Sequence, residues 1–99
     1  MPKVILLVNV ELKPGQRESY LAATSRLREH FKTVDSLTYT VYENESRDSD
    51  SFTETFTFPS YVEYEAFDDR DDDAANELFA EIISMGKQSP RYTTLVEVE

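Results

Sequence analysis

The stretch "KVILLVNVEL", residues 3–12, constrains the fold more than any other. Val4, Leu6, Val8, Val10 and Leu12 fill one face of a strand. Ile5 and Leu7 put apolar groups on the other, beside Asn9 and Glu11. A strand that is apolar on both sides belongs inside a sheet, with something covering each face. "KPG" then breaks it. The run is too short for a membrane span, carries Asn9 and Glu11, and has no small-residue cleavage site, so it reads as neither a span nor a signal peptide.

The rest of the chain supplies the neighbours. "QRESYLAATSRLREHF", residues 16–31, has helical spacing, with Tyr20, Leu21, Thr24, Leu27 and Phe31 in a stripe. Residues 37–45, "LTYTVYENE", alternate as a strand does. "SRDSD" is a polar hairpin loop, and residues 51–58, "SFTETFTF", alternate again. Ser60 and Glu63 have capping-box spacing and start a short helix. "DDRDDD", residues 68–73, leads into a last helix with an apolar stripe of Ala75, Leu78, Phe79, Ile82, Ile83 and Gly86. Acidic residues at its start and Lys87 at its end suit the helix dipole. "RYTTLVEVE" is a final strand.

The order strand, helix, strand, strand, helix, strand predicts one α+β domain over residues 1–99. It is the ferredoxin-like βαββαβ arrangement, a four-stranded antiparallel sheet with its helices on one face. The helix-side face collects Val4, Leu6, Val8, Leu37, Tyr39, Val41, Phe52, Phe56, Phe58, Val96 and Val98. The opposite face is rich in threonine but keeps Ile5, Leu7, Leu95 and Tyr42, more apolar surface than a monomer usually shows. Pressing two such sheets together covers it, so a homodimer through the sheet face is expected.

The net charge of −10 repels phosphate backbones and anionic membrane surfaces, which argues against nucleic-acid or membrane partners. The chain has no cysteine, so it offers no thiol nucleophile, disulfide or thiolate metal site. That composition fits a reducing compartment, the cytoplasm. With a single histidine as well, no zinc or copper site is expected. "DDRDDD" lacks the ligand spacing and turn glycine of a calcium loop and reads as a solvated helix start. Neither a glycine-rich phosphate loop nor a G-x-S-x-G turn occurs.

"VNVELKPGQRESYL" and "FTETFTFPSYVEYEAF" resemble the opening strand, turn and helix, and the third strand and following helix, of the antibiotic biosynthesis monooxygenase family. The resemblance implies a dimeric α/β barrel. It also implies oxidation of electron-rich aromatic rings with O₂ in a pocket between sheet and helices, with no metal or prosthetic group. Aligned on Ser60, Glu54 stands where the family has an Asn, Phe58 where it has a Trp, Phe56 where many members have a Glu, and Phe67 where a His is common. Haem-degrading members of the superfamily hold iron through a His that has no match here. The resemblance therefore implies no cofactor.

Glu54 is the sharpest feature, because it interrupts the phenylalanine row Phe52, Phe56, Phe58. A buried carboxylate is costly unless it is paired, hydrogen-bonded or protonated. Either it lines a pocket as a general base towards a phenol or enol, or a nearby Arg, Tyr or His holds it and it only organises the core. His30 could turn inward and join Glu54 as an acid–base pair, or lie exposed at the helix end. Tyr39, Phe56, Phe58, Phe67 and Tyr92 could form a slot for a flat aromatic ligand, or be plain core. Two functions follow: a cofactor-independent oxygenase for a small aromatic or enolisable compound, or a non-enzymatic ligand-binding or stress-associated dimer.

Overall fold

The structure, a computed structural model, describes residues 2–34, 36–45, 50–69 and 72–98. Four strands and three helices follow in the order β1 (Val4–Glu11), α1 (Arg17–Phe31), β2 (Thr38–Glu43), β3 (Ser51–Phe58), α2 (Tyr61–Asp68), α3 (Asp73–Met85) and β4 (Arg91–Val96). The strands form one sheet in the order β2-β3-β1-β4, and every neighbouring pair is antiparallel. This is the expected ferredoxin-like α+β fold, with β1 in the interior and the short α2 as an added third helix.

Pairing fixes which side chains share a face. Val41, Glu54, Val8 and Tyr92 form one row across all four strands. Tyr39, Phe56, Leu6 and Thr94 form the next. This is the helix side, and α1 buries Tyr20, Ala23, Thr24, Leu27 and Phe31 towards it. Leu21, expected in that stripe, is exposed, and Ala23 takes its place. Phe31 is the hub of the core, with its ring edge-on to Tyr39, Phe56 and Phe67. From α3, Ala75, Leu78 and Ile82 are buried, while Ile83 remains exposed.

Two tight features join the layers. Gly15 takes a positive φ of 83° in the "KPG" turn, a conformation that suits glycine. At the other end of α3, Gly86 bridges to Leu12 at the end of β1. A Cβ on Gly86 would lie 2.8 Å from the Gln88 carbonyl oxygen, so the close approach requires glycine.

Three local expectations are revised. Ser60 does precede α2, but its hydroxyl donates to the Glu63 carboxylate and does not cap the helix backbone. Val96, at the end of β4, and Val98, beyond it, carry 51% and 93% exposure, because the helices leave the side chains of this edge largely open. The acidic run contributes Asp72 as the cap of α3, accepting from the Ala75 N–H at 3.1 Å. Residues 70–71 of that run, and 46–49 of the expected hairpin loop, lie outside the described residues.

On the face away from the helices, Ile5 and Leu7 are half-buried, and Tyr42 and Leu95 are exposed in the single chain. Asn9 is met there by the Thr53 hydroxyl at 2.8 Å. Among the described residues no helix is long and apolar enough to cross a membrane.

Candidate active site

Alternation along β3 turns Phe52, Glu54, Phe56 and Phe58 to the helix side, and all four are buried. Glu54 is only 2% exposed. Its partners are two phenols. The Tyr20 hydroxyl descends from α1 and donates to Oε2 at 2.8 Å. The Tyr39 hydroxyl comes from β2, one row along the sheet, and donates to Oε1 at 2.7 Å. Among the described residues, no cation forms an ion pair with Glu54.

Burial pushes the Glu54 carboxyl above its ordinary range, and the Tyr39 and Tyr20 hydroxyls pull it part of the way back. The two phenols are pushed far above the ordinary tyrosine value, first by burial, then by the negative charge of Glu54 and the hydrogen bonds to it. They therefore stay protonated and remain donors. No buried side-chain nitrogen or oxygen among the described residues lacks a partner.

Glu54 also forms part of the wall of a cavity of about 190 Å³. Leu6 and Val8 of β1 and Phe56 of β3 form the sheet side. Phe79, Ile82 and Ile83 of α3 and Phe67 of α2 form the helix side, and Pro90 and Tyr92 complete the wall at β4. Tyr92 is 61% exposed and marks the open side. A carboxylate at one end of an otherwise hydrocarbon cavity can accept a hydrogen bond, or a proton, from whatever ring occupies it.

Of the residues singled out in the sequence, the fold brings Glu54, Phe56, Phe67 and Tyr92 to this cavity. Tyr39 stands behind it and holds Glu54. Phe58 lies one step along the strand, packed on Tyr64 and Phe67, and lines a neighbouring hollow of about 160 Å³ with Val34 and Leu37. His30 does not meet Glu54. Its Nε2 lies 2.7 Å from Asp72 Oδ2, so it links the end of α1 to the start of α3. Among the described residues no cluster of three or more His, Asp or Glu side chains is placed to hold a metal ion.

Tyr20 is the main residue that sequence reasoning missed. The signal was present: a tyrosine in the buried stripe of a helix must find a partner for its hydroxyl, and the carboxylate opposite needed a donor.

No family model matches the sequence, and no curated protein matches it. Solved structures do. A conserved protein of Methanosarcina mazei superimposes with a TM-score of 0.84 at 12% identity, over 96% of this chain and 92% of its own. A protein of Caulobacter crescentus, named as a candidate antibiotic biosynthesis monooxygenase, gives 0.84 at 11% identity over 98% and 91%. Another, named antibiotic biosynthesis monooxygenase, gives 0.79 at 17% identity over the full length of both chains. The chain has the antibiotic biosynthesis monooxygenase fold. The resemblance seen in the sequence is thus borne out for the architecture. At such identities the likeness concerns the fold alone and assigns no role to any residue.

Proposed function

We propose that the protein is a cofactor-independent monooxygenase acting on a small, single-ring phenol or enolisable compound, with Glu54 as its base. The observation that carries this reading is a buried carboxylate, without a cationic partner among the described residues, in the wall of an apolar cavity. A hydrocarbon-lined cavity of about 150 Å³ accepts benzene, so about 190 Å³ suits one ring with small substituents. Phe56 and Phe67, which touch each other, form one wall beside the ring, and Tyr92 stands at the entrance.

The chemistry balances without a cofactor. Glu54 takes the phenolic proton, and the phenolate passes one electron to O₂. The ring radical and superoxide join at a ring carbon, and the peroxide takes the proton back from Glu54. The hydrogen on that carbon leaves with the outer oxygen and the peroxide proton as water, giving a quinone. One oxygen atom ends in the product and one in water. General base catalysis contributes about 10²–10⁴-fold. The threonine-rich open face supports a homodimer through the sheet, the net charge of −10 speaks against nucleic-acid partners, and the absence of cysteine supports a cytoplasmic setting.

The two tyrosine hydroxyls that already hold Glu54 favour a second reading, a binding protein that holds the ring without oxidising it. An oxygen-electrode screen with monocyclic quinols and phenols separates the two. The expected result is uptake by the native protein and a loss of about 10²-fold or more in Glu54→Gln. Binding without uptake on any compound supports the binding protein and overturns the oxygenase.

A further inference from the structure

We infer that Tyr20 and Tyr39 are positioning residues that hold Glu54 as an oriented anion, one hydroxyl on each oxygen, leaving its remaining acceptor sites for a donor in the cavity. The inference rests on the proposed role of Glu54 and deepens it.

A carboxylate offers about four acceptor sites on its two oxygens. Two are occupied, at 2.8 and 2.7 Å. Because the donors sit on opposite oxygens and come from different elements, α1 and β2, the carboxylate cannot rotate without breaking one of them. The choice of donor matters. An arginine would neutralise Glu54 and leave a weak base. Burial with no donor would leave the acid protonated and no base at all. Two phenols lie between these extremes. They stabilise the anion without supplying a counter-charge, and the charge they stabilise keeps them protonated in turn. The rings packed on the two phenols, Phe52 on Tyr20 and Phe31 and Phe56 on Tyr39, carry no charge, and the Arg17 guanidinium lies on the Phe52 ring. Val8 of β1 and Phe79, Ile82 and Ile83 of α3 carry no charge, Tyr92 of β4 shares the cavity, and the Arg28 charge acts on Tyr39.

Carboxyl ¹³C NMR of glutamate-labelled protein tests this, with the Glu54 signal assigned by its loss in Glu54→Gln. Tyr20→Phe and Tyr39→Phe each remove one hydroxyl and little else. Each is expected to raise the Glu54 midpoint by about one pH unit, the size of a hydrogen bond to a charged group. In the native chain the ring Cζ signals of both tyrosines are expected to move with that same midpoint, a measurement that needs no variant to fold. Midpoints unchanged in the variants, or tyrosine signals that ignore the Glu54 titration, overturn the inference. A purely structural role would lower thermal stability and leave the midpoint in place. Where oxygen uptake is found, the acid limb of kcat/KM should follow the NMR midpoint; a limb that stays put while activity persists overturns the positioning role but not the oxygenase. Shifted midpoints with no uptake on any quinol uphold the positioning role and overturn the oxygenase.

Discussion

The two edge strands of the sheet share a Tyr-Thr pair at the same two positions and differ in environment. β2 reads TYTVYE and β4 reads RYTTLV, each six residues long and paired on one side only. Each presents a tyrosine to the helix side, Tyr39 and Tyr92. Tyr39 is buried under α1, with Phe31 against its ring and Glu54 on its hydroxyl. Tyr92 is largely exposed. The difference lies in the roof. Arg17 at the start of α1 grips the Glu43 carboxylate at the end of β2 through both oxygens, at 2.8 and 3.1 Å, whereas among the described residues β4 meets a helix side chain through the longer 3.3 Å contact of Thr94 with Tyr64 of α2. The cavity lies where the roof stops. One sheet face thus provides a dry carboxylate and, two strands away, an open side.

The largest effect expected from this contrast is on stability. Tyr39→Ala removes a buried ring and one donor from Glu54, and should cost about 3–5 kcal/mol. Tyr92→Ala should stay within about 0.5 kcal/mol, while weakening the binding of a ring ligand. Urea unfolding at one matched protein concentration measures both, which matters if the chain dimerises. Equal losses would mean that β4 is covered in solution and the two edges are alike.

The second effect appears at high pH. Tyr20 and Tyr39 resist ionisation in the folded chain, because burial and the Glu54 charge raise both. In the unfolded chain they ionise near pH 10. Their contribution to stability is therefore complete below about pH 10 and is lost as pH rises above it, at about 2.7 kcal/mol per pH unit for the pair. A tyrosinate absorbance titration should show two of the six tyrosines ionising only as the fold is lost. Ionisation of all six before unfolding would show that the roof over β2 is permeable.

Glu54 itself gives the third effect. Burial raises its folded value above the unfolded one, so the stability linked to it is present below the unfolded value and is lost as pH rises through the folded one. Glu54→Gln lacks this titration. Stability of the variant relative to the native chain should increase as pH rises from the unfolded carboxylate value, about 4.3, through the folded one, because burial is what raises the latter. A relative stability that falls over that range would mean that a cation reaches Glu54 in solution.

The elements on both sides of this contrast were legible in the sequence, but the contrast itself was not, for physical reasons. The strand Ser51–Phe58 and the helix ending at Phe31 follow from alternation and helical spacing, because those periods are properties of the backbone. The need of Glu54 for a partner follows from desolvation. That the partners would be Tyr20 and Tyr39, rather than His30, depends on the register of β2 on β3 and the rotation of α1, which are tertiary quantities. Val96 shows the same limit. Alternation assigned it to the correct face, as its pairing with Val4 confirms, but alternation cannot tell whether a helix lies over that face. Of the cavity wall, the aromatic members Phe56, Phe67, Phe79 and Tyr92 stood out by type. Leu6, Val8 and Ile82 did not, since an aliphatic residue facing a cavity looks the same as one facing a neighbour.

The smallest effect tests the far end of the roof. Asp72 caps α3 through Oδ1 and meets His30 through Oδ2. Asp72→Ala loses both and should cost about 1 kcal/mol, as loss of a helix cap usually does. Asp72→Asn retains a capping oxygen and should cost only a few tenths, as for a cap changed between good capping residues. Neither should alter ligand binding, because the cavity is lined by Phe79, Ile82 and Ile83, two turns or more along α3. If Asp72→Asn alone emptied the cavity of its ligand, the link between α1 and α3 would govern the roof as a whole. The bare edge at β4 would then be one position of a moving layer, and its difference from β2 would be a matter of helix placement more than of sequence.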